Sequence, residues 1–208
     1  MASNVFVSFR FSDGLDYKNK LVEKFDELDY TINKSEDEDR SNMSEDTIQK
    51  YLYEKLEDCS LTVVVLTPNA INYNTKQVFD IETLSNKNVY DDWLYDELRY
   101  SLEDRTGNRT NGVIALYTPE AKSYVISAET DEVTTINDFE NLVRKNMLNV
   151  KKAYKYCPTE GRWNSAKDNY ISLVAFDDFM GNPKYYIDSA LEKRNRTDQF
   201  DLVKRMKP

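Results

Sequence analysis

The chain contains no histidine. That excludes a Ser–His–Asp triad, a His-ligated zinc and the usual general base near neutral pH. Only 5 glycines occur in 208 residues, and none forms a G-x-G-x-x-G run. Gly107 and Gly112 have the spacing of a P-loop pair, but Val113 and Ile114 follow where Lys and Ser/Thr are needed. Two cysteines, Cys59 and Cys157, are too few for a disulfide framework and are expected to be reduced, as in a cytoplasmic protein. No run of 18 apolar residues occurs, so no helical membrane span is expected. Met1-Ala2-Ser3-Asn4 passes straight into a strand pattern, so no signal peptide is expected. A formal net charge of −9 argues against a nucleic-acid partner, because phosphate backbones need a basic surface. Any catalysis must therefore rest on carboxylates, Tyr, Arg or Lys.

What is present is a packed globular chain, 40% apolar and 12% aromatic. Its length suits one core, and no internal repeat or Gly/Pro/Ser-rich linker divides it, so residues 1–208 are expected to form one domain. Strands are expected at Asn4–Phe9, Tyr30–Ile32, Ser60–Thr67, Gly112–Tyr117 and Asn169–Phe176, the third being the clearest apolar run. Helical spacing is present over Leu15–Leu28, with Ser12 or Asp13 as a candidate cap. It recurs over Glu45–Glu57, where Ile48, Leu52 and Leu56 are the apolar positions, and over Tyr185–Lys193. A helix is also expected within Ile136–Leu148, with Phe139, Leu142, Val143 and Leu148 facing inward. Asn33–Ser44 reads as an exposed polar loop, residues 70–90 as irregular or partly helical, and the last residues as frayed. Alternating strands and helices imply an α/β fold: a central parallel five-stranded sheet with helices on both faces. Ligands of such sheets bind outside the carboxyl ends of the strands.

One stretch organises the rest, Asp91-Asp92-Trp93-Leu94-Tyr95-Asp96-Glu97-Leu98. Asp91 and Asp92 suit a helix N-terminus. Leu94, Leu98 and Leu102 repeat every four residues as an apolar stripe, with Glu97 flanking it and Trp93 one turn earlier on nearly the same face. Arg10, the loop after Thr67 and the start of this helix all fall at the carboxyl edge of the sheet.

Three segments, in order, resemble the TIR (Toll/interleukin-1 receptor) domains. Val5-Phe6-Val7-Ser8-Phe9-Arg10 resembles the opening strand, D-V-F-[IL]-S-[FY]-R. Ile48 through Asn72 resembles the second helix and third strand, and Trp93-Leu94-Tyr95-Asp96-Glu97-Leu98 resembles the W-C-x-x-E-L segment of NAD-cleaving members. The resemblance covers residues 4–117. Residues 118–208 would complete a flavodoxin-like TIR sheet, with a family-specific insertion at 120–169. The chain is also similar to the small stand-alone TIR-like proteins of Thoeris-type antiphage defence.

The resemblance implies an enzyme that breaks the nicotinamide–ribosyl bond of NAD. Its ADP-ribose-type product, expected to be cyclic, would activate a separate effector by diffusion. NAD would be the substrate, with no other cofactor and no metal. Glu97 matches the family glutamate and would be the catalytic carboxylate. Trp93 would pack beside the site. Phe9 and Arg10 would line the pocket, with Arg10 near a phosphate or the ribose. Asp39–Glu45 stands in the place of the BB loop, which closes over a neighbouring site in self-associated assemblies, and Asn42 within it is a candidate substrate contact. The usual glycine of that loop is missing here. Low activity is expected until a trigger assembles the protein, with 120–169 a candidate for regulation. Two alternatives stand beside this reading. One is a non-enzymatic adaptor working through TIR–TIR contacts, where Glu97 with Trp93 speaks for the enzyme. The other is a receiver-type module, which needs an acidic pair and an aspartate where Phe9-Arg10 and Thr67 stand.

Overall fold

The apolar runs order the chain into a sheet coated on both faces. The computed structural model describes residues 3–28, 31–33, 45–71, 75–80, 84–90, 93–105, 107, 109–126 and 141–206. Strands β1 (Ser3–Ser8), β3 (Leu61–Leu66), β6 (Gly112–Tyr117) and β7 (Ser172–Ala175) lie side by side in that order, all parallel. A three-residue strand, β2 (Thr31–Asn33), extends the ladder beyond β1. Counting only these strands, the order is 2-1-3-4-5, that of flavodoxin-like doubly wound sheets. Every residue of β3 and β6 is buried, as expected for central parallel strands covered on both sides.

Alternation of side chains divides the core in two. Val5, Val7, Val63, Val65, Ile114 and Leu116 point to one face. There they meet Leu21 and Phe25 of α1 (Phe11–Asp26), Phe179 of α6 (Phe176–Gly181) and Ile187 and Ala190 of α7 (Pro183–Arg194). Val64, Leu66, Val113 and Ala115 point to the other face. They meet Leu94, Leu98 and Leu102 of α3 (Trp93–Leu102), and Leu142 and Val143 of the short α5 (Leu142–Lys145). Phe6 on that same face packs on Leu52 and Leu56 of α2 (Glu45–Glu57). A four-residue helix, α4 (Lys122–Val125), follows β6. Among the described residues no helix is long and apolar enough to cross a membrane.

Four local expectations are corrected. Residues 70–90 are not irregular: β4 (Thr75–Asp80) and β5 (Ser85–Tyr90) pair antiparallel from Thr75↔Tyr90 to Asp80↔Ser85. Phe79 in this hairpin is exposed. β7 starts three residues later than expected, because Asp168 and Asn169 are occupied elsewhere. Asp168 accepts from the amides of Tyr156 (2.9 Å) and Asn164 (2.7 Å), and Asn169 accepts from the amide of Leu148. Phe176 opens α6 rather than closing the strand, with Asp177 and Asp178 favourably placed in the first turn. The C-terminal segment is not frayed. Phe200 is buried and meets the Tyr170 ring edge-on at 5.3 Å. Asn146 holds Val203 by both its amide and its carbonyl, and the Met206 amide donates to Tyr95 Oη.

Of the helix expected within Ile136–Leu148, the described part is α5, capped by Asn141, whose side chain accepts from the amides of Val143 and Arg144. Leu148 has a positive φ of 49° and is partly exposed, so it lies beyond the helix. Phe139 and the side chain of Ile48 lie outside the described residues.

Candidate functional site

Helix α3 runs antiparallel to the strands. Its Ser101 meets Thr62 near the start of β3 (Oγ–Oγ1 2.8 Å), while Glu97, one turn earlier, meets Ser8 at the end of β1. Trp93 is one turn farther still, toward the carboxyl edge. The helix forms as its leucine spacing predicts, with Leu94, Leu98 and Leu102 all buried.

Glu97 is the central group. It is 8% exposed, and Ser8, itself buried, donates its hydroxyl hydrogen to Oε2 at 2.5 Å. A carboxylate out of bulk water needs such donors, because desolvation penalises its charge unless hydrogen bonds replace the lost water. The polar chain continues behind it. The Ser101 hydroxyl donates to the Glu97 carbonyl at 2.8 Å, and the Asn111 amide donates to Thr62 Oγ1 at 3.1 Å. Tyr170 closes the series by donating to the Asn111 carbonyl at 2.7 Å, and burial holds its hydroxyl well above the usual phenol range. The apolar stripe of α3 thus carries a hydrogen-bonded seam along one edge.

The loops at the carboxyl edge are tied by Asp13. No side chain caps α1: Arg10 stands at its N-cap in extended backbone, and its carbonyl accepts from the Gly14 amide at 2.7 Å. Neither Ser12 nor Asp13 is therefore the expected cap. Asp13 instead accepts from Thr67 Oγ1 (2.7 Å) and the Asn69 amide (3.1 Å), fastening the first turn of α1 to the end of β3. Gly14 permits this approach, since a Cβ there would stand 3.3 Å from Phe9 Cβ. Across the same edge Tyr17 donates to Glu120 at 2.7 Å. Burial and this bond push the Tyr17 hydroxyl up to about 12, and the bond holds the Glu120 carboxyl below its usual range.

Glu97 is buried at the end of β1 as anticipated. Arg10 is half-buried two residues beyond Ser8. Phe9 is half-buried but packs against the α1-side core, with its ring 4.8 Å from Phe11, so it lies on the face opposite Glu97. Strand alternation dictates this: Ser8 and Phe9 point to opposite faces. Trp93 is 37% exposed at the first residue of α3, one turn before Glu97. Asn42, the rest of the segment 39–44, and Asp91 and Asp92 lie outside the described residues. Tyr95 and Asp96, given no role, have structural ones: Tyr95 is buried and Asp96 pairs with Arg99 at 3.3 Å.

Ser8 and Asp13 were not singled out as site residues. Ser8 had a legible signal, a hydroxyl at the last position of an otherwise apolar strand, on the face of Phe6. Asp13 had none beyond its place after the strand. The site is a single buried, oriented carboxylate at the carboxyl edge of a parallel sheet. Such a group can stabilise developing positive charge or hydrogen-bond a ligand hydroxyl. No protein-family model matches this chain.

Proposed function

We propose that this chain is a TIR-type enzyme that cleaves NAD at the nicotinamide–ribosyl bond. On this reading the flavodoxin-like sheet is a TIR sheet. Its product is an ADP-ribose-type signal, cyclic by preference, that activates a separate effector in antiphage immunity, in the manner of Thoeris systems. The observation that carries the reading is the Glu97 carboxylate, buried on α3 and oriented by Ser8 at the end of β1.

The chemistry matches what the sequence has and lacks. Nicotinamide leaves as a neutral molecule, so no general acid has to protonate it. The barrier lies in positive charge developing on the ribose, as in glycoside cleavage. One fixed carboxylate beside the ribose stabilises that charge, and no histidine is required. Ser8 holds one carboxylate oxygen in place so that little reorganisation accompanies the reaction. Arg10, just past the end of the same strand, would bind a phosphate of the substrate. Activity is held low until TIR–TIR association or another trigger assembles the site, because constant loss of NAD is toxic to the cytoplasm in which the protein acts.

The test is mass spectrometry of the purified protein incubated with NAD, alone and in lysate of phage-challenged cells, beside Glu97→Gln. Loss of NAD with release of nicotinamide and appearance of an ADP-ribose-type product, both absent in the variant, is the expected result. Equal turnover by the variant, or silence in both settings, overturns it. Silence would favour the adaptor reading, for which the exposed ring of Trp93 is the one supporting observation.

A further inference from the structure

One cleft among the described residues lies away from the carboxyl edge. Residues 150–168, between β6 and β7, fold against the second half of α7 and the 3-10 turn at Thr197–Gln199. Between them lies a space of about 500 Å³. Lys193 at its floor meets Ser172, the first residue of β7, so the cleft sits at the amino edge of the sheet. Its volume is in the range that holds small organic ligands.

Three features give this cleft a chemical character. Tyr154, Tyr156 and Tyr185 line it with rings that are 51%, 53% and 54% exposed, an unusual concentration of uncovered aromatic surface. Lys193 is 2% exposed, and its ammonium donates to Ser172 Oγ at 2.7 Å. Burial pulls its pKa down to about 8. Lys167 lies over the Tyr156 ring, 3.8 Å from the centroid. Two carboxylates also line the wall, but each meets a cation: Asp188 with Lys184 at 2.6 Å and Glu192 with Arg196 at 3.0 Å. The charge left facing the space is therefore positive, on a protein whose net charge is −9.

We propose that this cleft is a binding site for a small aromatic anion, its ring packed among Tyr154, Tyr156 and Tyr185 and its charged group directed at Lys167 and Lys193. The site is built from residues remote from Glu97, and the proposal does not depend on NAD cleavage. A flat ring gains from the tyrosine faces, and a desolvated ammonium pairs more strongly with an anion than an exposed one does.

The probe is pyridoxal 5′-phosphate, which combines a ring, a phosphate and an aldehyde. The neutral amine of Lys193 attacks the aldehyde carbon, water leaves and an imine forms; borohydride then delivers hydride to give a stable secondary amine. Peptide mapping locates the label. Propanal, an aldehyde with neither ring nor anion, measures the intrinsic reactivity of each lysine. The expected result is a preference for Lys193 over surface lysines at least tenfold greater with pyridoxal 5′-phosphate than with propanal. That excess should disappear in the double variant Tyr156→Leu/Tyr185→Leu while propanal labelling of Lys193 persists. Both rings are half-exposed, so their replacement leaves the core intact. Equal preference with the two aldehydes, or an excess that survives in the double variant, overturns the proposal.

Discussion

Ser8 and Glu97 stand 89 positions apart in sequence, and the hydroxyl of one donates to the carboxylate of the other at 2.5 Å. The bond joins the last residue of β1 to the middle of α3, so it both anchors the helix and aims the acid. Glu97→Gln keeps the volume and an oxygen able to accept from Ser8. It should fold with stability within about 1 kcal/mol of wild type, and on the proposed function it should show no NAD cleavage. Ser8→Ala keeps the charge but removes its donor. It should cost about 1.5–3 kcal/mol in urea denaturation, the range for hydrogen bonds to charged groups, and lower turnover roughly tenfold rather than abolish it. Wild-type turnover by Ser8→Ala would show that the bond is structural only.

Asp13 should matter to the edge rather than to the core. Asp13→Ala removes the acceptor of Thr67 Oγ1 and the Asn69 amide. The expected loss is about 1–2 kcal/mol, with faster amide exchange confined to residues 67–71. Uniform acceleration across β3 would indicate a global defect instead.

Gly112 of β6 lies close against the backbone of α7. A Cβ there would stand 2.7 Å from the Ala190 carbonyl oxygen and 2.9 Å from its carbon, both backbone atoms that cannot rotate away. Gly112→Ala should therefore destabilise by about 1–3 kcal/mol through displacement of α7, read as a fall in the denaturation midpoint. At Gly107, where a Cβ meets nothing within 4 Å, the same substitution should change stability by no more than about 0.5 kcal/mol.

The buried ammonium of Lys193 gives stability a signature in alkali. Its folded pKa of about 8 lies below the 10.5 of the free side chain, so between those values the unfolded chain binds more protons. Stability from this group rises with pH through that window and is constant outside it. Relative to Lys193→Met, wild type should gain about 2 kcal/mol between pH 8 and pH 10. Tyr17 and Tyr100, each pushed up to about 12 by burial and a carboxylate partner, act in the opposite sense above pH 10. Taking the difference from the variant at each pH removes their contribution. A flat difference would place the lysine in contact with bulk water.

The C-terminal segment is predicted to be structural. Phe200→Ala removes a buried ring packed edge-on to Tyr170, and should cost about 3 kcal/mol or more, measured as loss of the cooperative transition at lower denaturant. An unchanged midpoint would mean the segment is dispensable.

Periodicity and apolar runs made the sheet legible. The bounds of β6 and α2 coincide with the residues expected, because Gly112–Tyr117 is apolar throughout and Glu45–Glu57 carries Leu52 and Leu56 at helical spacing. The pairing of β4 with β5 was not legible, because an antiparallel ladder is held by cross-strand backbone bonds that side-chain periodicity does not encode. The start of β7 is not legible, because Asn169 adjoins the apolar run that makes the strand. Its side chain is in fact committed to the Leu148 amide. The C-terminal packing was hidden for a similar reason: Asn146 and Asn149 hold the segment by side-chain bonds across more than fifty residues. At the site, Glu97 was found through its place beside a leucine stripe. The separation of Phe9 from it follows from strand alternation, which was available in the sequence, whereas the exposure of Trp93 required the helix start in three dimensions.

The pairing of β1 with β3 has a consequence for how the carboxylate is assembled. Ser8 is opposite Val64 in that ladder, and Phe6 opposite Thr62. A slip of one residue would turn Ser8 to the α1 side and present Phe9 or Val7 to Glu97, leaving the acid with an apolar neighbour in place of a donor. Misregistered sheets are thus penalised twice, by core side chains turned to the wrong helical layer and by loss of the Ser8 bond to Glu97. Strand register acts as a proofreading gauge for the acid, which meets the Ser8 hydroxyl only when the sheet is correctly threaded.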